Sequence, residues 1–299
     1  MENYVHFGTS SWAYEGWIGN VYHQLYADGR LKKDCLQEYW QDGRFSTVGM
    51  DLFFYNPPSE VLLQHYASQF PANKNYLACS KVWQEITLYR FPNQAQWGAR
   101  RGQLNPNFLN AELFERTVLN AHRQVFMAQT GPFIFEFPYI RKDDPPFTTF
   151  IAALDQFFSK LPTDFKYSVE LRNKNFLHPD YFNVLRKYHV AHVFNQWSYM
   201  PAIREQLKFD ALTADFLVAR ILTPSGVAYQ DSVKMFEPFN KIIERQPEIR
   251  ADVLKLAMIA IKERKYAYLL INNRLEGCAP ETVRELKAEM ESKSVPDSN

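Results

Sequence analysis

The chain has 299 residues, of which 46% are hydrophobic and 22% are charged. This length and composition suit one large globular domain, and they exclude a disordered, collagen-like or coiled-coil chain. Thirty-four basic and thirty-three acidic residues leave a formal net charge of +1, so no overall electrostatic field attracts polyanions.

Short apolar strands alternate with amphipathic stretches, which is the pattern of βα units around a parallel sheet. Eight strands are predicted, at Val5–Gly8, Val48–Tyr55, Tyr76–Val82, Phe133–Phe137, Lys166–Leu171, Ala191–Asn195, Phe216–Leu222 and Tyr266–Ile271. Helical patterns between them include Ala111–Ala128, Phe147–Leu161, Pro179–Tyr188 and Ala251–Glu263. The repeats predict a single (β/α)8 TIM-like barrel over residues 1–291 and a polar C-terminal tail at 292–299. An open doubly wound sheet is the rival fold, but no Gly-x-Gly-x-x-Gly follows the first strand.

Three predicted connections are too long for plain turns. They are Leu88–Pro106, Gln196–Ala214 and Thr223–Arg250, which follow the third, sixth and seventh strands. Loops that follow barrel strands emerge at the C-terminal rim, where barrel enzymes hold their active sites. We therefore expect these three segments to cover or border the site.

Three cysteines, Cys35, Cys79 and Cys278, are scattered and lack the CxxC spacing of zinc sites. Reduced thiols in a cytoplasmic protein are expected rather than a disulfide framework. The N-terminus has no basic segment followed by an apolar one, and no apolar run approaches the length of a membrane span. The sequence thus predicts a cytoplasmic protein that does not enter a membrane.

Several short blocks occur in order from the first predicted strand to the last helix. They are Gly8-Thr9-Ser10-Ser11-Trp12 with Tyr14 and Trp17, Phe54-Tyr55 with Pro58-Ser59, Lys81 with Gln84-Glu85-Ile86-Thr87, Phe135-Glu136-Phe137-Pro138, Glu170-Leu171-Arg172, and Asn272-Asn273 with Gly277 and Ala279-Pro280. In these blocks the chain resembles the YecE-like family (domain of unknown function 72). The resemblance implies a TIM-like barrel and no established reaction.

The chain departs from the family pattern at several positions. Glu136 stands where glutamine is usual, Leu88 and Asn173 where histidine is usual, Phe176 where tryptophan is usual, and Thr223-Pro224 where a His-Gly pair is common. Chemistry that depends on those histidines is therefore not expected in this chain.

Two carboxylates are the candidate catalytic groups. Strand alternation places Glu170 and Arg172 on one face, where Glu170 could act as a general base while Arg172 binds a carboxylate or phosphate. The alternative is an internal ion pair that orders the barrel end. Glu136, at the end of the preceding strand, could complete an acid and base pair with Glu170, or could be solvated or paired structurally.

The candidate substrate-binding residues are cations, hydroxyls, aromatic rings and carboxamides near predicted strand ends. Lys81, Arg172 and Arg220 could form an anion-binding mouth, or could instead pair with the two glutamates. The others are Thr9, Ser10, Trp12, Tyr55, Asn272 and Asn273. These groups suit a sugar or an anion, although turn chemistry and loop packing explain them equally well. By alternation, only one of the two asparagines is expected to point inward.

Metal and cofactor sites have little support in the sequence. None of the seven histidines forms an HExxH motif or a pair at a predicted strand end, and there is no P-loop or Gly-x-Ser-x-Gly elbow. We expect no metal and no cofactor; magnesium held by Glu136 or Glu170 with waters is the minor alternative.

Together these patterns predict an enzyme of hydrolase, lyase or isomerase type. It would use acid/base chemistry on a small anionic or hydroxylated, phosphate- or sugar-like substrate at the C-terminal rim, an assignment that rests partly on fold analogy. Nucleic acid is a less favoured partner, since Trp83, Trp97 and Tyr89 near loop arginines could stack bases. That alternative requires the loop Trp83–Pro106 to be basic, exposed and continuous with the pocket.

A non-catalytic scaffold is the third alternative. It is favoured if Trp12, Trp17 and Tyr55 fill the rim cavity, or if internal ion pairs consume all three predicted cations. The oligomeric state is not predicted.

Overall fold

The computed structural model describes residues 4–72, 76–140 and 144–294. Eight parallel strands close into a barrel in sequence order, and the last strand pairs with the first. The strands are β1 Val5–Thr9, β2 Thr47–Met50, β3 Leu77–Lys81, β4 Thr130–Phe137, β5 Tyr167–Leu171, β6 Ala191–Gln196, β7 Phe216–Ile221 and β8 Tyr266–Ile271. The predicted single TIM-like barrel is therefore confirmed.

Helices lie in the connections between the strands, as the βα pattern predicts. They are α1 Leu31–Asp34, α2 Leu36–Gln41, α3 Glu60–Ala67, α4 Gln84–Thr87, α5 Ala111–Phe114, α6 Asn120–Val125, α7 Phe147–Phe158, α8 Pro179–Lys187, α9 Ile203–Gln206, α10 Tyr229–Phe236, α11 Pro247–Glu263 and α12 Ala279–Ser294. A π-helical turn at Glu115–Leu119 joins α5 to α6, so the predicted helix Ala111–Ala128 exists with a change of winding.

Strand alternation divides the core into two parts. Val169 and Leu171 belong to the large apolar cluster between strands and helices. Ile134, Val193 and Leu270 belong to a smaller cluster that fills the barrel interior. Because polar residues follow these inward positions at the carboxyl ends of the strands, the interior changes from apolar to charged toward one end.

One glycine permits the first strand pair to form as closely as it does. A Cβ atom on Gly8 would meet the carbonyl oxygen of Thr47 at 2.0 Å, well inside any normal contact distance. The β1–β2 approach therefore requires glycine at this position. The strand pairing places Thr9 opposite Val48 at the end of β1.

The second strand is shorter than predicted. It ends at Met50, and the chain then forms a 3-10 turn over Asp51–Phe54. Four consecutive apolar residues at 52–55 continued the apparent strand in the sequence, because buried parallel strands also read as continuous apolar runs. Phe53 packs in the core, whereas Tyr55 is 64% exposed.

Two boundaries near the C-terminus also differ from the prediction. Helix α11 begins at Pro247 rather than Ala251, because proline is well tolerated in the first helical turn. The long connection after β7 is correspondingly shorter and contains α10. Helix α12 continues to Ser294, three residues into the expected tail, and residues 295–299 lie outside the described ranges. Within those ranges, no helix has the length and apolarity needed to cross a membrane.

Candidate active site at the barrel mouth

Six charged side chains meet at the carboxyl ends of the strands. We call them the mouth network: Asp51, Lys81, Glu136, Glu170, Arg172 and Arg220. The strand register explains the meeting, since Glu136 of β4 lies directly opposite Glu170 of β5. Both are inward positions, because their neighbours in sequence pack against the helices.

Glu136 is the centre of the mouth network. Its Oε2 atom lies 2.9 Å from Nζ of Lys81, 2.8 Å from Nη2 of Arg172 and 2.8 Å from Nη1 of Arg220. Burial alone would raise the pKa of Glu136, but the three cations outweigh burial and hold that pKa well below the usual range. Glu136 is therefore an ionised hydrogen-bond acceptor at neutral pH.

The second oxygen of Glu136 is differently placed. The directed hydrogen bonds from Arg172 and Arg220 both end on Oε2 rather than Oε1, and 12% of the side chain is exposed. Glu136 also lines the open cavity at the barrel mouth. A ligand in that cavity could donate a hydrogen bond to this oxygen.

Glu170 forms the floor of the mouth network. Its side chain is 0% exposed, and its carboxylate lies 2.6 Å from Nη1 of Arg220 and 2.7 Å from Nη2 of Arg172. It does not line the mouth cavity. The geometry of Glu170 corresponds to the internal ion pair that the sequence left open as an alternative to catalysis.

Arg220 joins both glutamates to a third carboxylate, which the sequence analysis did not identify. Its Nη2 atom lies 2.6 Å from Oδ2 of Asp51. Burial would lower the pKa of Arg220, but the carboxylates of Asp51, Glu170 and Glu136 raise it, so the guanidinium stays charged. Asp51 was missed because the predicted strand ran through it to Tyr55; the available signal was a lone carboxylate that interrupts the apolar run directly after Met50.

A cavity of about 230 Å³ opens above the mouth network. Three of its cations lie against aromatic rings of the cavity wall. Lys81 Nζ is 3.7 Å from the ring centre of Phe54, the Arg172 guanidinium is 4.3 Å from Trp197, and the Arg274 guanidinium is 4.3 Å from Tyr229. These contacts hold the cations in place without neutralising them.

Arg274 is the second residue that the sequence analysis missed. Within the described ranges no carboxylate lies within ion-pair distance of it, whereas Nη1 donates to Oδ1 of Asn272 at 3.2 Å and Nε is buried without a hydrogen-bond partner. Adding Arg274 to the mouth network gives four cations against three carboxylates, which leaves one positive charge. The signal in the sequence was an arginine directly after the two asparagines that follow β8.

The two asparagines divide between the cavity and the loop, in agreement with the alternation argument. Asn272 lines the cavity and accepts a hydrogen bond from the backbone of Arg274 at 3.0 Å. Asn273 is 1% exposed, and its Oδ1 accepts from Trp17 Nε1 at 3.2 Å and from the backbone of Ala279 at 2.8 Å. Asn273 thus connects two loops and opens α12.

Three predicted binding residues do not reach the cavity. The backbone and hydroxyl of Thr9 contact the Tyr39 hydroxyl at 3.1 and 3.0 Å, and the backbone N–H of Ser10 donates to the carbonyl oxygen of Ile271 at 2.9 Å. Trp12 is 1% exposed and packs edge-on against Tyr66. The segment after β1 therefore turns toward α2 and α3, and the geometry lends a substrate-binding role for Thr9, Ser10 and Trp12 no support.

Two of the three loop arginines at positions 90, 100 and 101 are paired with carboxylates. Arg90 donates to Asp144 at 2.9 Å, and Arg100 donates to both oxygens of Glu85 at 3.0 Å. Trp97 is only 9% exposed. The segment Trp83–Pro106 is consequently not the continuous basic, aromatic surface that the nucleic-acid alternative requires.

The scaffold alternative meets one of its two conditions. Internal carboxylates engage each of Lys81, Arg172 and Arg220, which favours a structural role for these cations. However, Trp17 is fully buried elsewhere and Tyr55 stands at the cavity wall, so aromatic residues do not fill the cavity. The open cavity, Arg274 and Oε1 of Glu136 remain for a ligand.

In the described part of the chain, no group of three or more histidine, cysteine, aspartate and glutamate side chains is arranged to hold a metal ion. Burial lowers the pKa of His6, His122 and His192 to about 4, so these rings are neutral. The three cysteines are buried free thiols.

The family profile described as "Protein of unknown function DUF72" matches residues 6–298. The chain belongs to this family. A DUF72 protein of Enterococcus faecalis V583 has 14% sequence identity to it, with 96% of this chain and 95% of that chain covered and a TM-score of 0.64. A DUF72 protein of Thermotoga maritima MSB8 has 16% identity, with 96% and 99% covered and a TM-score of 0.61.

These two similarities support the fold of this DUF72 chain. At such identities they carry no information about its reaction. No curated protein matches the chain. The function must therefore be argued from the barrel mouth itself.

Proposed function

We propose that this DUF72 protein is an enzyme that binds a small anionic, hydroxylated compound in the mouth cavity and acts on it by acid/base chemistry. The observation that carries the proposal is the asymmetry of Glu136. Three cations contact its Oε2 atom and both arginine hydrogen bonds end there, while Glu136 lines a cavity shared with Arg274, which has no carboxylate partner among the described residues. A purely structural network has no use for a free carboxylate oxygen beside a free cation.

Arg274 is the proposed anion-binding residue. Its guanidinium is held by Tyr229 and Asn272 without a carboxylate, so it can offer a two-pronged contact to a carboxylate or phosphate. The side chain lies at intermediate burial, where screening by water is reduced. Its positive charge is the excess charge of the mouth.

Glu136 is the proposed proton acceptor. In the free protein its depressed pKa makes it a weak base. A bound anion adds negative charge beside Glu136 and competes for the guanidinium of Arg172, and both effects raise the pKa of Glu136 toward its ordinary value. The carboxylate would then accept a proton from a substrate hydroxyl or carbon acid only when the substrate is bound. Lys81, 2.9 Å away, could donate one of its own protons to the product and recover a proton from Glu136.

Glu170 has a supporting role in this proposal. It is inaccessible to a ligand in the cavity, and its charge holds Arg172 and Arg220 in position beneath Glu136. The catalytic role predicted for Glu170 would therefore act through these two arginines. The proposed chemistry uses side chains of this chain alone. We also propose a cytoplasmic location, with which the three free cysteine thiols accord.

A substrate screen tests the proposal. Sugar phosphates, uronic acids and hydroxy acids are incubated with the protein and followed by proton NMR. We expect conversion of at least one compound by the natural chain, binding without conversion by Glu136→Gln, and normal conversion by Glu285→Gln, which makes the same change outside the mouth. Saturable binding without conversion by the natural chain would reject an enzyme in favour of a binding protein.

A further inference from the structure

The mouth cavity continues into a longer depression along the barrel rim. A cavity of about 510 Å³ shares Glu136, Arg172 and Trp197 with the mouth cavity. A third, of about 730 Å³, shares Tyr139, Arg172 and Tyr199 with the second. We call this series of three cavities the rim groove.

Exposed tyrosines are concentrated in the rim groove. Of the tyrosines in the described ranges, four have largely exposed side chains: Tyr55 at 64%, Tyr139 at 69%, Tyr199 at 69% and Tyr229 at 43%. All four line the groove. Aromatic rings kept in water cost hydration free energy, so their confinement to one groove points to a ligand that covers them.

The middle of the groove is also aromatic. Trp197 lines both the mouth cavity and the second cavity, and its ring centre lies 6.4 Å from that of Tyr229. Aromatic side chains therefore line the groove from the mouth to Tyr139 and Tyr199. Their distribution over three adjoining cavities suits a chain of rings better than a single small molecule.

The charges of the groove distinguish among chain-like ligands. Arg172 is paired with two glutamates, and beyond it the third cavity contributes Lys174 together with the uncharged Asn175 and Ser198. A nucleic-acid strand carries one negative charge at every unit and is held by a row of free cations. Along this groove the described cations are too few, whereas amide, hydroxyl and aromatic groups suit sugar hydroxyls and the flat faces of sugar rings.

We infer that the ligand of the mouth is the acidic end of a linear saccharide, whose following rings lie along the rim groove on Trp197, Tyr139 and Tyr199. This inference rests on the proposed function for its acidic end, which Arg274 binds. It adds a ligand class and a second binding region. A uronate, a sialate and a sugar phosphate share the required chemistry at the terminal unit.

An array of linear glycans tests the inference. The array contains chains of two to four sugars with a terminal uronate, sialate or phosphate, the matching neutral chains, and single-stranded thymidine oligonucleotides. We expect binding to acid-terminated chains above both other classes. Stronger binding to the oligonucleotides, or equal binding to neutral chains, overturns the inference.

Calorimetry on the best glycan and on its terminal monosaccharide separates the two parts. We expect the glycan to bind the natural chain about tenfold more tightly than the monosaccharide does, because each stacked ring contributes. The Tyr139→Ala, Tyr199→Ala double variant should lose that advantage and keep monosaccharide affinity. Arg274→Gln should weaken both ligands.

The failures are distinguishable. If the monosaccharide binds through Arg274 and the longer glycan binds no more tightly, the groove inference fails and the proposed function stands. If neither ligand responds to Arg274→Gln, the mouth assignment fails. A glycan advantage that survives in the double variant also overturns the role of the groove tyrosines.

Discussion

Two buried ion networks in this protein use the same side-chain chemistry to different effect. The mouth network lies beneath an open cavity. The second, which we call the helix network, consists of Arg250, Glu276, Thr282 and Glu285 and connects α11 to α12. Both contain fully buried glutamates paired with arginines.

The helix network satisfies its central carboxylate completely. Oε1 of Glu276 accepts from Arg250 Nε and from the backbone of Gln246, each at 2.7 Å, and Oε2 accepts from Arg250 Nη2 at 2.5 Å and Thr282 at 2.8 Å. No rim cavity is lined by these residues. Such a network fits a role in joining two helices.

The mouth network leaves polar atoms unused. Nη1 of Arg172 and Nε of Arg220 are buried without hydrogen-bond partners, and Oε1 of Glu170 has an ion contact with Arg172 but no well-directed hydrogen bond. Buried polar groups are normally satisfied, so groups left incomplete beside a cavity indicate a site built for a ligand. Charge content alone therefore does not separate a functional network from a structural one. The distinction lies in whether every buried polar atom has a partner and whether a cavity reaches the network.

The largest expected effect is on the helix network. Glu276→Gln leaves Arg250 buried and only partly paired, and we expect a loss of about 4 kcal/mol in the free energy of unfolding. Denaturant unfolding measures the loss. Affinity for ligands of the mouth should not change. A fall in both the free energy of unfolding and this affinity would show that the two networks are not independent.

A smaller loss is expected at the floor of the mouth. Glu170→Gln removes the charge that holds Arg172 and Arg220, at a cost of about 3 kcal/mol, visible as a fall of several degrees in melting temperature. The same thermal melt discriminates between roles. An unchanged melting temperature would show that the Glu170 charge is not needed for stability, and would again favour a catalytic role for Glu170.

A still smaller loss is expected for Glu136→Gln. Water and buffer anions can reach the cations of Lys81 and Arg172 through the cavity, so the loss should be smaller than that of Glu170→Gln, about 2 kcal/mol in chloride. Phosphate bound in the mouth cavity should restore part of it by supplying negative charge beside the cations. A loss as large as that of Glu170→Gln, with no recovery in phosphate, would place Glu136 in a closed structural network.

The stability difference between the natural chain and Glu136→Gln should depend on pH. The pKa of Glu136 is lower in the folded state than its ordinary value of 4.5, so the ionised carboxylate stabilises the folded state above that pH. The difference should be constant from pH 7 to about 5 and shrink as the pH falls below about 4.5 toward the folded pKa. A difference that grew on acidification would contradict the depressed pKa.

The barrel itself was predictable because its signals are local. Two-residue alternation placed Glu170 and Arg172 on the inward face, and the order of strands placed Glu136 beside them, as the register confirms. Because the inward and outward residues of each strand follow from its own sequence, short-range patterns were sufficient to predict the barrel.

The site was only partly predictable because the role of each side chain depends on its distance from residues of other strands and loops. Alternation could not show that one oxygen of Glu136 receives three cations, nor that the segment carrying Trp12 turns away from the cavity. Asp51 and Arg274 lie just beyond strand ends, where periodicity stops and loop geometry decides. Sequence periodicity carries no information about such long-range contacts.

Anion-dependent thermal unfolding tests the central claim most directly. Melting temperatures are measured in phosphate and in chloride of equal ionic strength for the natural chain, for Arg274→Gln and for Arg245→Gln, which removes the same charge near the helix network. A ligand that binds only the folded state raises the melting temperature. We expect phosphate to stabilise the natural chain and Arg245→Gln equally and not to stabilise Arg274→Gln. Equal stabilisation of all three proteins would show that Arg274 does not bind the anion.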